Sequence, residues 1–292
     1  MELSRSIFIL GTGRSGTTIV YRMLASHPDL GWYSNYIDRF PRVPQLALLS
    51  RLLDVTAHGG RREGWRRALP VPKEALGVPR TLTGGLFVEK DLLVDSELDP
   101  AVLTRYRRHA AAVLRWQGKS RFLHKHTGFA RVGFLRGVDP TGQFVHVLRD
   151  GRAVVNSLLN VEWWDGSLDS WWWGPMPEGY AEQFEQADRD PMVLAALVWL
   201  RLTELIEQEL QALPPAQLMT LRYDQFVKAP VESLGKICAF AGLEESSEFL
   251  SRVRRFNVRD ADQGWQRKLS TSQIDVLNRL LGERLEAYGF ER

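Results

Sequence analysis

Short apolar runs alternate with longer stretches of helical periodicity along this chain. Residues 6–10 are apolar after the first position, and residues 143–148 form a second, largely apolar run. An apolar run without strict alternation is typical of a strand that is covered on both faces, as in a parallel sheet. Because helical periodicity follows each run, the pattern predicts βαβ units, that is, an α/β fold with a parallel sheet flanked by helices.

The same reading places the other elements. Two weaker strands are predicted at residues 121–125 and 217–221. Helices are predicted over residues 16–26, from about 152, over 192–213, from about 231 and over 270–288. Ser270 or Thr271 is the expected N-cap of the last helix, because a hydroxyl there accepts a hydrogen bond from the first turn.

Two segments fit this rhythm poorly. Residues 50–90 are polar and rich in arginine, with several glycines and prolines, and residues 161–190 carry a cluster of tryptophans. Long segments of this kind inside a compact domain are commonly functional lids or walls. We therefore expect both to be acceptor-site insertions in one domain that spans residues 1–292.

Composition narrows the function classes. Apolar residues make up 44% of the 292 residues, a fraction that is enough for a full core. Lys and Arg outnumber Asp and Glu by 38 to 35, so the formal net charge is only +3. A dedicated nucleic-acid binder would carry a concentrated basic surface. The slight imbalance argues against nucleic acid as a partner and allows a small anionic ligand.

The single cysteine, Cys238, excludes a disulfide within the chain. It stands in an apolar run, and we expect a buried thiol in a reduced compartment. No apolar run reaches the roughly 18 residues that a membrane-spanning helix needs, and the first residues lack the features of a signal peptide. The sequence therefore predicts a cytoplasmic protein without a membrane span.

Residues 11–18 read Gly-Thr-Gly-Arg-Ser-Gly-Thr-Thr and follow the first predicted strand. This is the frame of a phosphate-binding P-loop, except that Thr17 stands where the lysine would be. The glycines permit a tight turn, and backbone amides at the start of the next helix converge on an anion. Arg14 supplies a cation, and the threonines add hydroxyl donors. The predicted phosphate-binding set is Gly13, Arg14, Ser15, Gly16, Thr17 and Thr18.

A second cationic position lies at the end of the 143–148 run. Arg149 follows the run directly, and Ser157 lies eight residues further on, about two turns into the predicted helix. The two side chains can reach one anion from two directions, with Arg149 as a bidentate donor. Taken separately, the two segments have simple alternatives: a capped βα turn without a ligand, and a weak surface pair of Arg149 with Asp150.

Together, the two segments resemble the sulfotransferases that use 3′-phosphoadenosine 5′-phosphosulfate, and the overlap runs discontinuously from residue 6 to about 270. The resemblance implies a P-loop-type sheet, with the 5′-phosphosulfate at residues 11–18 and the 3′-phosphate at Arg149 and Ser157. It also implies transfer of the sulfuryl group to a hydroxyl or an amine without a metal ion.

Two further segments carry weaker parts of the resemblance. Tyr223, in the segment that begins Leu-Arg-Tyr, would lie beside the adenine, and Gly264, Trp265 and Arg267 resemble the skeleton of the C-terminal nucleotide-binding stretch. Ile19 departs from the pattern, because cytosolic small-molecule members carry an aromatic there that stacks on the adenine. We expect Trp265 to cover the base instead. The Arg-Lys-Gly signature near the C-terminus of those members is also missing, so the chain resembles the divergent bacterial-type members more closely.

The resemblance also accounts for the missing lysine. A P-loop kinase or nucleotide hydrolase uses that lysine together with magnesium on the β- and γ-phosphates, and an Asp at the end of a strand helps to hold the metal. Here the strand at 143–148 ends in Arg149, which has the wrong charge for a metal ligand. A kinase or hydrolase is therefore the second hypothesis. A non-catalytic adenosine bisphosphate-binding protein without a working base is the third.

The reaction that the resemblance implies is an in-line attack on sulfur, with adenosine 3′,5′-bisphosphate as the leaving group. It needs positive charge at the leaving oxygen and a base for the acceptor proton. Arg14 is the predicted catalytic cation. Lys125, at the end of the 121–125 strand, is a second catalytic candidate.

The sequence leaves several candidates for the base. His126 has a suitable ordinary pKa, although neighbouring strand residues point to opposite faces and Thr127 fits the spacing of the family's histidine better. Asp38 lies past the first helix, in the region where other members carry a carboxylate. Glu89 and Glu162 are further candidates.

Trp163, Trp164 and Trp172 belong to a cluster that holds five of the ten tryptophans. A polar stretch interrupts the cluster and Gly-Pro follows it, so core packing is the weaker explanation. We expect these three side chains to form a wall for a small-molecule acceptor. Aromatic faces suit a sugar, a phenol or a lipid-like acceptor equally well. The sequence does not fix the oligomeric state.

Overall fold

The structure is a computed structural model that describes residues 2–52, 69–84, 99–128, 131–171, 174–258 and 264–291. Its strands are β1 (Ile7–Gly11), β2 (Leu30–Gly31), β3 (Arg121–Thr127), β4 (Gln143–Leu148) and β5 (Leu218–Arg222). All pair in parallel in one sheet, in the order β2-β3-β1-β4-β5. The predicted α/β fold with a parallel sheet is confirmed.

Helices cover both faces of the sheet. Within the described ranges they are α1 (Thr17–Leu24), α2 (Asn35–Arg39), α3 (Leu48–Leu52), α4 (Gly77–Leu82), α5 (Pro100–Gln117), α6 (Val132–Val138), α7 (Gly151–Leu158), α8 (Glu178–Gln186), α9 (Pro191–Leu210), α10 (Tyr223–Lys228), α11 (Pro230–Ala241), α12 (Ser247–Val253), α13 (Gly264–Lys268) and α14 (Thr271–Ala287). Short 3-10 turns lie at Pro44–Ala47, Leu168–Ser170 and Pro215–Gln217.

The predicted strands correspond to β1, β3, β4 and β5, and β4 has the predicted bounds. β2 and nine of the described helices were not predicted, namely α2 to α6, α8, α10, α12 and α13. β2 has only two residues, too few to leave a pattern. The buried face of α5 includes Tyr106, His109 and Gln117. Because these side chains are polar, the buried positions of α5 do not show the apolar periodicity that predicts a helix.

β1 lies at the centre of the sheet and serves two cores. Phe8 and Leu10 belong to the core that contains residues of α5 and α6, whereas Ile7 and Ile9 belong to the core that contains residues of α1 and α11. Because both faces are covered, the whole strand is buried, as its apolar run predicted. Cys238 on α11 is buried as well, which confirms the predicted burial of the single thiol.

The strand order brings three chain segments to one edge of the sheet. The register of β1 aligns Gly11 with Thr127 on β3 and Leu10 with His146 on β4. Strands that run parallel end on the same side, and ligands of such sheets bind beyond their carboxyl ends. The loop after β1, the end of β3 and the residue after β4 therefore meet there.

Part of the 161–190 segment belongs to a third core. Trp164 and Phe184 are buried in the cluster that α7, α9 and α14 form. Most of the 50–90 segment lies outside the described residues, so the role of both segments as acceptor-site insertions in one domain stays a prediction. Among the helices that the structure describes, none combines the length and apolar character that a membrane crossing requires.

The last helix begins with a capping box. The Ser270 hydroxyl accepts the Gln273 amide at 3.2 Å, and Gln273 Oε1 accepts the Ser270 amide at 2.9 Å. Ser270, rather than Thr271, is thus the N-cap. The reciprocal pair satisfies two amides that would otherwise lack partners within the helix.

Replacing Ser270 with alanine removes one side of this capping box. We expect Ser270→Ala to lower the free energy of unfolding by about 1 kcal/mol and the Tm by about 2–4 °C. Thermal denaturation followed by circular dichroism measures the change. Ser251→Ala, at an exposed serine of α12, is the matched control and should leave the Tm nearly unchanged. Equal Tm values for both variants would contradict the prediction.

Candidate active site

A cavity of about 720 Å³ opens at the carboxyl edge of the sheet. Its walls come from the loop after β1, the last residues of β3, the residue after β4, residues 74–80 and the helices α7 and α9. Small-molecule sites of proteins are commonly of this size. The two predicted phosphate sites therefore share one cavity.

The loop between β1 and α1 is closed by its own hydrogen bonds. The Ser15 amide and hydroxyl both donate to the Thr12 carbonyl oxygen, at 3.2 and 2.7 Å. Arg14 and Gly16 adopt left-handed backbone angles, with φ of 67° and 92°. Within the described residues, the amides of Gly13, Arg14 and Gly16 donate to no protein acceptor. They are therefore available to an anion at the start of α1.

Two predicted cations lie side by side at this loop. Arg149 Nη1 donates to the Arg14 carbonyl oxygen at 2.8 Å, and Arg14 Nε donates to Ser157 Oγ at 2.9 Å. Burial and the neighbouring Arg149 guanidinium lower the pKa of Arg14. Two cations this close repel each other, so the site favours an anion that contacts both. The fold thus joins Arg14 to Ser157 across 143 residues of sequence.

Tyr223 closes one side of the loop. Its ring lies beneath the Arg149 guanidinium, whose Cζ is 4.9 Å from the ring centroid. A Cβ on Gly16 would lie 2.2 Å from Tyr223 Cε2. Position 16 therefore requires glycine for two reasons, its positive φ and the close approach of the Tyr223 ring. Tyr223, which was predicted beside the adenine, lines the cavity.

Trp265 and Arg267 do not line the cavity. The Trp265 ring is buried, and the Arg152 guanidinium lies over it at 4.4 Å from the centroid. Arg152 is itself paired with Asp150 at 2.7 Å. Arg267 is exposed on α13. The Trp265 ring packs against Arg152 and does not line the cavity, so its place over an adenine stays a prediction.

Lys125 lies at the end of β3 and bridges two parts of the site. Its Nζ is 2.7 Å from Glu74 Oε2, 3.1 Å from Thr127 Oγ1 and 3.3 Å from Thr18 Oγ1 on the loop. Glu74 also accepts the Thr127 amide at 2.6 Å and the Thr127 hydroxyl at 2.5 Å. Sequence reasoning missed Glu74, because nothing in the local pattern of residues 50–90 distinguishes it from a surface glutamate.

Comparison with known proteins identifies the family. A model of the Sulfotransferase family matches residues 6–247. The chain belongs to the sulfotransferase family. It is similar to the omega-hydroxy-beta-dihydromenaquinone-9 sulfotransferase Stf3 of Mycobacterium bovis and to that of Mycobacterium tuberculosis. Each is 22% identical over 309 residues that cover 98% of this chain and 75% of the relative.

Solved structures share the fold. The crystal structure of sulfotransferase STF9 from Mycobacterium avium matches with a TM-score of 0.61 at 15% identity, over 100% of this chain and 78% of that one. Sulfotransferase STF1 from Mycobacterium tuberculosis matches with a TM-score of 0.57 at 16% identity, over 95% and 76% of the two chains. The predicted P-loop-type sheet and the predicted enzyme class are confirmed: the chain is a sulfotransferase, which transfers a sulfuryl group.

In this sulfotransferase, His126 lines the same cavity as Lys125, and its imidazole packs against that of His124. Its Nε2 is 3.0 Å from His124 Nδ1, and His124 Nε2 donates to the Glu74 carbonyl oxygen at 2.7 Å. Burial, followed by the charges of His124, Arg131 and Lys125, holds the pKa of His126 well below its ordinary value. The imidazole is therefore neutral and disfavours the proton that a general base must accept.

The other predicted bases do not reach the cavity of the sulfotransferase. Asp38 Oδ1 accepts the Gly77 amide at 2.9 Å, and Asp38 does not line the cavity. Its carboxylate thus joins α2 to α4, which corrects the prediction of a catalytic role. Glu162 is exposed outside the lining, and Glu89 lies outside the described residues.

The three tryptophans that were predicted to form an acceptor wall differ in their exposure and in their position relative to the cavity. Trp163 lines the cavity and is 51% exposed. Trp164 packs edge-to-face against Trp163, with ring centroids 6.4 Å apart, and is buried in the third core. This burial corrects its predicted role as wall. Trp172 lies outside the described residues.

The sequence missed most of the apolar wall. Leu76 and Pro79 line one part of the cavity, and Val198 and Leu202 of α9 line another. The α9 residues belong to a helix that is buried on most of its surface, so their sequence pattern predicts core residues and not cavity-lining ones. Only the position of α9 beside α7 brings them to the cavity.

The dependence of the loop on Gly16 is testable. In Gly16→Ala, the new Cβ would meet the Tyr223 ring and the residue would need an unfavourable φ. We expect a lower Tm and a much smaller upward shift of Tm with adenosine 3′,5′-bisphosphate, because ligand stabilisation reports binding to the folded state. The matched control is Gly179→Ala on α8, where a Cβ meets nothing within 4 Å. A wild-type ligand shift in Gly16→Ala would contradict the loop assignment.

Proposed function

We propose that this sulfotransferase transfers the sulfuryl group of 3′-phosphoadenosine 5′-phosphosulfate to a hydroxyl of a lipid-like acceptor. One observation carries the donor part of the proposal: the Arg14 loop and the Arg149–Ser157 pair join in one cavity through the 2.9 Å Arg14–Ser157 hydrogen bond. One anion would need only one of these sites. Two adjacent sites favour a ligand with two separated phosphate groups, as the resemblance implied.

The residues present suit such a donor. The amides of Gly13, Arg14 and Gly16 and the hydroxyls of Thr17 and Thr18 would hold the 5′-phosphosulfate. Open space at Gly13, where an added Cβ meets no atom within 4 Å, leaves room for close approach of the donor.

The second anionic group would bind on the other side of the loop. Arg149 and Ser157 would hold the 3′-phosphate, with charge-assisted hydrogen bonds from the guanidinium. Tyr223, against which Arg149 lies, would support the nucleoside. The proposal includes no metal ion.

Cationic and hydrogen-bond-donating groups of the loop and of β3 would stabilise the negative charge on the leaving oxygen. Arg14 and the loop amides would face that charge in the bound donor, and Lys125 Nζ contacts Thr18 Oγ1 on the same loop. Fixed donors in a partly buried site stabilise developing charge without first having to be oriented. We therefore assign catalytic roles to Arg14 and Lys125.

The acceptor class follows from the rest of the wall. Leu76, Pro79, Val198, Leu202 and Trp163 offer apolar surface beside the charged end of the cavity. The related Stf3 proteins are named for a hydroxylated dihydromenaquinone, which is lipid-like. An apolar wall favours such an acceptor over a sugar, which would need more polar partners. The cytoplasmic location stays a prediction.

A P-loop kinase or hydrolase is less well supported. Thr17 replaces the lysine, and the carboxylate of Asp150, the acid nearest the end of β4, is bound to Arg152. A non-catalytic bisphosphate-binding protein would not need the Lys125–Glu74 pair in its cavity. Binding and turnover measurements separate these functions.

Donor binding is tested by calorimetry. We expect adenosine 3′,5′-bisphosphate to bind more tightly than ATP with magnesium and to keep its affinity in a chelator. Arg149→Ala should weaken this binding by about 10- to 100-fold, since it removes charge-assisted hydrogen bonds worth about 1.5–3 kcal/mol. Arg105→Ala, at an exposed arginine of α5 outside the cavity lining, is the control. A preference for ATP with magnesium would overturn the proposal.

The acceptor wall is tested by Trp163→Ala. With farnesol as the probe alcohol, we expect a several-fold higher KM and a smaller change in kcat, because apolar contact binds ground state and transition state alike. Trp116→Ala on α5 is matched in chemistry, since Trp116 is 38% exposed and lies outside the lining. Equal KM values for the two variants would remove Trp163 from the acceptor site.

A further inference from the structure

The segment that carries Glu74 is fixed to the buried part of the fold. The Lys73 amide donates to the Tyr33 carbonyl oxygen at 2.9 Å, and the Tyr21 hydroxyl donates to the Lys73 carbonyl oxygen at 3.1 Å. His124 Nε2 donates to the Glu74 carbonyl oxygen at 2.7 Å. Tyr21, Tyr33 and His124 are all buried. The backbone of Glu74 therefore cannot move without leaving buried polar groups unpaired.

The next residue is held in an unfavourable conformation. Ala75 has a φ of 54°, in the left-handed region that costs energy for an alanine. It is buried, and Glu74 and Leu76 on either side of it line the cavity. Backbone strain of this kind persists only where the surroundings impose it, and it clusters at functional sites. The hydrogen bonds on either side fix the backbone of Glu74 at the cavity and thereby impose the unfavourable φ of Ala75.

Glu74 carries the negative charge in a cavity wall whose other charged residues, among those described, are cationic. Among the described lining residues it supplies the only carboxylate, whereas Arg14, Arg22, Arg80, Lys125, Arg131 and Arg149 are cationic. Its side chain is 19% exposed and that of Lys125 is 9% exposed. A carboxylate in such a site can accept a proton, whereas the cationic side chains around it cannot.

One ammonium connects this carboxylate with the loop. Lys125 Nζ is 2.7 Å from Glu74 Oε2 and 3.3 Å from Thr18 Oγ1. The attraction between ammonium and carboxylate depends on the negative charge of Glu74. A proton on Glu74 removes that charge, while the hydrogen bond to the loop hydroxyl is unaffected. The balance of forces on Lys125 then shifts toward the loop.

We propose that Glu74 is the general base of this sulfotransferase and that its protonation releases Lys125 toward the leaving group. The inference rests on the proposed function for the identity of the donor. The acceptor oxygen forms a bond to sulfur as the bond between sulfur and the bridging phosphate oxygen breaks. The electron pair of the broken bond leaves with the bisphosphate. The hydroxyl proton moves to a carboxylate oxygen of Glu74 and passes to solvent after product release.

Proton transfer to Glu74 and stabilisation of the leaving oxygen by Lys125 favour each other. Removal of the acceptor proton makes the attacking oxygen a better nucleophile, and it neutralises Glu74 at the moment when negative charge grows on the leaving oxygen. Lys125 loses its carboxylate partner and meets that charge instead. His126 offers no such coupling, because its imidazole contacts His124.

The test is Glu74→Gln, in which the amide oxygen still accepts hydrogen bonds from Thr127. Turnover is measured as bisphosphate formation from 3′-phosphoadenosine 5′-phosphosulfate with farnesol, and binding of adenosine 3′,5′-bisphosphate is measured by calorimetry. We expect kcat to fall by about 10²–10³, the range for loss of a general base, and the Kd of the bisphosphate to stay within about threefold. The wild-type rate should fall at low pH as the carboxylate takes up a proton, and the variant should lack this acid limb.

One control variant and one double-variant comparison separate catalysis from structure. Asp38→Asn changes a carboxylate outside the cavity lining and should keep the wild-type kcat and acid limb. Lys125→Met should lower kcat in the wild type but add little in Glu74→Gln, because coupled residues are not additive. Additive losses would overturn the coupling.

The outcomes also separate this inference from the proposed function. If the wild type binds no bisphosphate and forms none, the proposed function fails and the assignment of the base fails with it. If the wild type binds and turns over and Glu74→Gln keeps full kcat, only the assignment of the base is overturned. An acid limb that persists in Glu74→Gln and disappears in His126→Asn would assign the base to His126.

Discussion

Hydrogen bonding of β1 to β3 on one side and to β4 on the other fixes where the charges of this sulfotransferase lie. The pairing is parallel, so all three strands end at the same edge. A cationic side chain lies at each of these ends: Arg14 in the loop after β1, Lys125 near the end of β3 and Arg149 after β4. The buried central strand holds these groups near one another although like charges repel. An anionic substrate is the natural partner for such a site.

The Arg149-Asp-Gly-Arg152 stretch shows how the fold divides similar residues between two tasks. Arg149 contacts the loop through the Arg14 carbonyl oxygen and Tyr223. Arg152 turns away from the cavity, pairs with Asp150 and donates to Asn278 Oδ1 of α14 at 2.8 Å. The Asp150 carboxylate also caps α7. Arg152 and Asp150 therefore stabilise the helix that positions Ser157, whereas Arg149 faces the cavity.

The charge balance of the cavity gives Glu74 its significance. Six cationic side chains and one carboxylate line the described wall. A glutamate there would be attracted to any of the cations, yet the hydrogen bonds that fix the backbone of Lys73 and Glu74 present its carboxylate to Lys125 and Thr127. The local sequence gives no sign of this. Its neighbours in space come from β3, which is about fifty residues later in the chain.

The sequence by itself determined the parallel sheet, the glycine-rich loop before α1 and the cation at Arg149 after β4. These features depend on local order: an apolar run, a glycine-rich turn and a helix start must follow one another directly, so the chain displays them without folding. Only the tertiary structure decided which side chains face the cavity. It buried Trp164, covered Trp265 with Arg152, used Asp38 to join two helices and brought Glu74 to Lys125. Each of these outcomes depends on contacts between segments far apart in sequence, and residue type alone does not encode such contacts.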